Sequence, residues 1–191
     1  MTNDVQSLYL EDIAVGQTFE SAPHVLTVEE IKDFAGRYDP QFFHLDDEAA
    51  RESLFGGLAA SGWHTAATTM RLLVESVPFF GGLIGAGGEI SWPRATRPGD
   101  AIRLRSEVTA VTPSRSRPER GMVNMRCETV NQHDEVVQVF TPKIVAWRRT
   151  LQQIFIPVRQ LPSLGGGACD TGHCECRCQH MLAETRYRVL R

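Results

Sequence analysis

Ser61-Gly62-Trp63-His64-Thr65-Ala66-Ala67-Thr68-Thr69-Met70-Arg71-Leu72-Leu73-Val74 decides how this chain folds. Ser61 is a good N-cap, and the segment from Gly62 to Ser76 would form a helix about 20 Å long at ~1.5 Å per residue. His64, Arg71 and the threonines are its polar interruptions, so the helix is expected to be buried on most sides. The texture then changes. Ile84–Trp92 is glycine-rich and extended, and Pro98-Gly99-Asp100 is a turn. From Ala101 to Val111 the chain alternates, with Ile102, Leu104, Ser106, Val108 and Ala110 on one face. Arg103, Arg105, Glu107 and Thr109 take the other face. Met122–Val130 and Val136–Trp147 add two more strands around Asn131-Gln132-His133-Asp134-Glu135. A buried helix followed by long antiparallel strands implies an α+β fold, a curved sheet wrapped around a central helix.

Upstream, Thr18–Leu26 reads as extended. Thr27-Val28-Glu29-Glu30 is a capping box, and Ile31, Phe34, Ala35 and Tyr38 follow at helical spacing. Pro40 ends that helix, because the residue before proline is pushed out of the helical region. A loop is expected through His44, then a short helix opened by Asp46-Asp47-Glu48 and ending near Ser53.

The chain has 191 residues, a net charge of −3 and 42% hydrophobic residues. These values fit one globular domain and argue against a globally basic nucleic-acid binder. No apolar run reaches the roughly 18 residues of a membrane helix, and Met1-Thr2-Asn3-Asp4-Val5 does not open like a secretory signal. The expected location is cytoplasmic, with neither membrane nor nucleic acid as partner. Residues 1–150 carry 15 Lys and Arg against 20 Asp and Glu, whereas residues 151–191 carry 5 against 3. Gly165-Gly166-Gly167 has a linker composition. We therefore expect a domain over 1–150 and a poorly ordered Cys/Gly-rich extension over 151–191. Cys169, Cys174, Cys176 and Cys178 raise the thought of a metal knuckle, but Cys-x4-Cys-x-Cys-x-Cys would crowd the ligands. No metal is expected, and nothing in the body asks for a cofactor.

On residue type alone, Asp39 is a turn residue at a helix end, His44 a loop histidine and Ser61 an N-cap. His64 reads as a core or cap histidine, and His24 and His133 as surface residues. The run Phe34-Ala35-Gly36-Arg37-Tyr38-Asp39-Pro40-Gln41-Phe42-Phe43-His44-Leu45-Asp46 adds more. Together with Ser61-Gly62 and Arg97-Pro98-Gly99-Asp100, it resembles the MaoC-like dehydratases, among them the R-specific enoyl-CoA hydratases of the hot-dog fold. The resemblance spans roughly residues 8–148. Asp39 and His44 match the family's aspartate and histidine five positions apart, and Ser61-Gly62 its helix opening. Where the familiar loop has Asn-Pro-Ile before the histidine, this chain has Gln41-Phe42-Phe43, with proline at 40.

The resemblance implies addition of water to a 2-enoyl thioester, or its removal from a 3-hydroxyacyl thioester, with acyl-CoA as substrate. It assigns acid/base work to Asp39 and His44, orientation to Ser61, and an oxyanion-binding helix N-terminus to Gly62. CoA phosphates need cations, for which Arg94, Arg97, Arg115 and Arg117 are candidates. Phe42, Phe43, Trp63, Phe79 and Phe80 are candidates to narrow an acyl pocket. A homodimer is expected, paired through sheet edges. A hot-dog acyl-CoA thioesterase and a non-catalytic acyl-CoA-binding module are the competing readings.

Overall fold

The computed structural model describes residues 7–150. Helix α1 (Val28–Tyr38) opens on the expected capping box: Thr27 accepts the Glu30 N–H, and the Glu30 carboxylate accepts the Thr27 N–H. Helix α2 (Phe42–Leu45) is a single turn, and α3 (Gly62–Ser76) is the long helix. The strands are β1 (Thr18–Glu20), β2 (His24–Val25), β3 (Ile84–Ser91), β4 (Ala101–Pro113), β5 (Arg120–Val130) and β6 (Val136–Trp147). They form one antiparallel sheet in the order β1-β4-β5-β6-β3, with β2 also on β4. The sheet curves around α3 in the hot-dog arrangement.

The alternation in β4 decides which face turns inward. Ile102, Leu104 and Val108 are buried, while Arg105, Glu107 and Thr109 are exposed. A register shift between Val108 and Ala110 bends the strand without breaking the pairing to β5. Leu72 and Leu73 of α3 join Ile31, Leu26, Val123, Met125 and Ile144 in one core. Inside it Thr69 and Thr129 share a hydrogen bond of 2.7 Å between helix and sheet.

Four local expectations change. The segment Thr18–Leu26 splits into β1 and β2 because Pro23 has no N–H to give the ladder, though both pieces still pair with β4. Phe42–Leu45 is helical rather than loop. The segment after it is only a 3-10 turn, Ala49–Glu52; Asp46 does cap it, accepting the N–H groups of Glu48 and Ala49. Finally, α3 is buried on one side only. His64, Thr65, Thr68, Thr69, Leu72 and Leu73 face the core, while Trp63, Ala67, Met70 and Val74 form an exposed stripe. Tyr38, the last residue of the α1 stripe, is 71% exposed.

The tail cysteines and the boundary of the 151–191 extension lie outside the described residues. Among the described residues, no helix is long and apolar enough to cross a membrane.

The one-sided burial of α3 has a measurable consequence. Leu73→Ala should cost about 2–5 kcal/mol of unfolding free energy, the range for a buried leucine that leaves a cavity. Arg71→Ala, on the exposed side, should stay within about 0.5 kcal/mol of wild type. Urea unfolding of both variants measures the contrast.

Candidate active site

Three short pieces of chain bring the expected residues together. Helix α1 ends at Asp39, whose N–H still donates to the Ala35 carbonyl at 2.9 Å while its backbone has left the helical region before Pro40. Gln41 N–H donates back to the Asp39 carbonyl at 2.7 Å, closing a tight turn. The single turn of α2 then carries His44 inward, where it is 4% exposed. The third piece is the buried run Leu58-Ala59-Ala60, which leads into Ser61 and α3.

Hydrogen bonds tie these pieces into one unit. The Ser61 hydroxyl donates to Asp39 Oδ2 at 2.6 Å and accepts the Trp63 N–H at 3.2 Å, so one side chain caps α3 and holds the carboxylate. Gln41 Nε2 donates to Asp39 Oδ1 at 2.7 Å. His44 Nδ1 lies 2.7 Å from the Ala59 carbonyl. A carbonyl can only accept, so Nδ1 carries the proton, and in the neutral ring Nε2 holds the lone pair. Nε2 lies 3.4 Å from Asp39 Oδ2, longer than a good hydrogen bond.

The carboxylate is tuned as well as placed. Burial pushes the Asp39 pKa up, but the hydrogen bonds from Ser61 and Gln41 and the nearby His44 outweigh it and hold the group below its ordinary 3.8. Asp39 is therefore an anion throughout the neutral range.

Asp39, His44 and Gly62 open on a cleft of about 340 Å³. Its walls include Phe43, Phe55, Trp63 and Trp92. Gly62 N–H, at the first position of α3, has no hydrogen-bond partner among the described residues. It stands at the positive end of a four-turn helix, where anionic oxygen is favoured.

The arginines divide. Arg94 lines the cleft and pairs with Glu135 at 3.3 Å. Arg97 is corrected from phosphate ligand to structural clamp: its guanidinium donates to the Gly57 and Leu58 carbonyls at 3.0 and 3.1 Å and also to that of Phe55. Arg115 and Arg117 lie in the exposed turn after β4, whereas Arg97 and the helix opening lie at its start.

The aromatic and histidine candidates also sort themselves. Phe43 and Trp63 reach the cleft, but Phe79 is core, Phe80 stacks on Tyr9 and Phe42 faces solvent. His64 is buried and stacked on Phe34 at 4.7 Å. His24 is half-buried rather than superficial, 3.3 Å from Glu30, and His133 is exposed. Cys127 is fully buried, which pushes its thiol up to about 12 and leaves no nucleophile there. Sequence reasoning missed Gln41, the Ala59 carbonyl, Phe55 and Trp92. A side-chain amide two positions from Asp39 could have pointed to Gln41; the others come from distant segments and leave no local signal.

Comparison with known proteins gives the family. Residues 12–131 match the family described as MaoC like domain. The uncharacterized protein YdeM of Bacillus subtilis (strain 168) is 33% identical over 134 residues, covering 69% of this chain and 92% of the relative. A solved MaoC-like dehydratase from Rhodospirillum rubrum is 60% identical, with a TM-score of 0.74 over 76% of this chain and all of the other. The R-hydratase PhaJ1 of Pseudomonas aeruginosa shares the fold at 24% identity, with a TM-score of 0.64 over 85% of this chain and 99% of its own. The paired Asp39 and His44, the glycine-opened helix and a family match across most of the described residues lead to one conclusion: this chain belongs to the MaoC-like domain family, with its hot-dog fold.

Proposed function

We propose that the protein adds water to a 2-enoyl thioester, or removes it from the 3-hydroxyacyl thioester, with acyl-CoA as the substrate. The observation that carries this reading is the convergence of two acceptors, Asp39 Oδ2 and His44 Nε2, 3.4 Å apart beside the Gly62 N–H. A water molecule has two protons to offer such a pair. His44, a cleft residue, is the base through Nε2, which holds the ring's lone pair while Nδ1–H is held by the Ala59 carbonyl. Asp39, kept a weak base by Ser61 and Gln41, orients the water and stabilises the imidazolium that forms.

In the hydration direction the water O–H breaks and its oxygen bonds the β-carbon. The π electrons of the double bond move toward the thioester oxygen, which takes the Gly62 N–H. His44 then returns its proton to the α-carbon. An oxyanion donor of this kind contributes on the order of 2.7–4 kcal/mol to the barrier. Arg94, at the cleft edge, is the candidate to meet CoA phosphates once its pairing with Glu135 gives way. We further propose a homodimer, in which a second copy covers edge strand β3 and the α3 stripe of Ala67, Met70 and Val74.

Asp39→Asn and His44→Ala should each lower kcat/KM for 2-butenoyl-CoA hydration by about 10²–10⁴-fold in folded protein. Near-wild-type rates in both would remove the dyad. Thiol release from saturated butyryl-CoA, which has no double bond, would instead favour a thioesterase.

Because the folded pKa of Asp39 is depressed, its contribution to stability is present above the ordinary carboxylate value and fades as pH falls through the folded value. Asp39→Asn should therefore be less stable than wild type at pH 7, and the gap should shrink by pH 3 in paired urea titrations. A gap that widens toward acid would reverse the assigned shift.

Met70→Glu combined with Val74→Glu should convert the dimer to monomer in light scattering; an unchanged mass would place the interface elsewhere.

A further inference from the structure

Trp92 follows β3 directly and lines the same cleft as Asp39 and His44. Its indole lies against the bare Cα of Gly62. A β-carbon built there would come within 2.9 Å of Cε2 and 3.0 Å of Cδ2. The ring atom next to Cε2 reaches the sheet: the indole N–H donates to Oε1 of Gln138, on β6, at 2.8 Å. An indole N–H can only donate, which orients the amide. Gln138 is completely buried, and its Nε2 has no partner among the described residues. A leucine in that place would bury no unpaired amide but would leave the indole N–H without its acceptor, so among the described residues the side-chain hydrogen bond of this amide serves to hold Trp92. Trp63 meets the same ring edge-on, with centroids 5.5 Å apart.

The indole thus bridges the opening of α3 and strand β6. A substrate whose thioester oxygen meets the Gly62 N–H has beside it a ring held at three places, by Gly62, Gln138 and Trp63. Phe43 and Phe55 close the dyad side of the same small cleft.

We infer that Trp92, positioned by Gln138, is the specificity-determining wall of this site and restricts the acyl group to short chains. The inference rests on the thioester reading of the cleft. It concerns the size of the acyl group, not the water chemistry, and the two can fail separately.

The test compares wild type with Trp92→Ala, Trp92→Phe and Gln138→Leu. Rates of hydration are measured for 2-butenoyl-CoA and 2-octenoyl-CoA, and affinities by calorimetry for the unreactive butyryl-CoA and octanoyl-CoA. Wild type should favour the four-carbon member of each pair. Trp92→Ala should raise the eight-carbon to four-carbon ratio of kcat/KM at least tenfold, chiefly through KM, and shift the affinity ratio the same way. Gln138→Leu, which keeps the ring but frees it, should shift both ratios about threefold. If Trp92→Ala does not fold by circular dichroism, Trp92→Phe decides, with about a threefold shift expected. Ratios within twofold of wild type in the folded Trp92 variants would overturn the inference, as would a wild type that already prefers the eight-carbon chain. Should wild type bind these thioesters but hydrate none, the reaction assignment falls and the affinity ratios alone decide the wall. A wild type that binds none of them overturns both.

Discussion

The short hydrogen bond from the Ser61 hydroxyl to Asp39 Oδ2, 2.6 Å long, joins the end of α1 to the beginning of α3. Ser61 Oγ in turn accepts the Trp63 N–H, so the helix cap and the orientation of the carboxylate are one arrangement. Alanine at 61 would loosen both at once. Around this bond the remaining parts take their positions. Gln41 holds the second carboxylate oxygen, Ala59 sets the histidine tautomer, and Thr65 ties the first turn of α3 to Thr96 at 3.0 Å. A charged group held by two donors stays charged, and that division of labour leaves His44 to move the proton.

The sheet's part is to keep the helix opening from shifting. Arg97 spends its guanidinium on three backbone carbonyls between Phe55 and Leu58, a segment with no regular structure that leads into Ala59 and Ala60. Its neighbours Pro98, Gly99 and Asp100 make the turn into β4, and the Asp100 carboxylate accepts the Arg97 N–H at 2.7 Å. Arg97 is thus a brace for the segment that leads to the histidine's carbonyl partner. Such bracing is expected where a positive charge stands beside unpaired backbone oxygens, because a fork of fixed donors satisfies several at once.

Much of the fold was legible in the chain itself. The capping box at Thr27, the alternation from Ile102 to Ala110 and the two strands after it are local patterns, and local patterns survive translation into structure. The errors fell where distance in sequence mattered. The side of α3 left open cannot be read from a helix with few charges, since apolar residues suit either a core or a covered surface. Phe79 and Phe80 resembled pocket residues until the chain's path took them to the core and to Tyr9.

For the site, the resemblance to the MaoC-like dehydratases named the pair. On residue type alone Asp39 is a turn residue and His44 a loop histidine; only the match of both, with Ser61-Gly62 beyond, to the family's motif singled them out. What each does was decided only in three dimensions. The proton on His44 is placed by a carbonyl fifteen residues away, the charge on Asp39 by a serine twenty-two residues away, and the cleft's wall by an indole that meets Gly62 only after β3 has returned along β6. Short-range sterics and hydrogen bonding write themselves into sequence as period and punctuation; contacts across the sheet depend on closure of the whole core and leave no such mark.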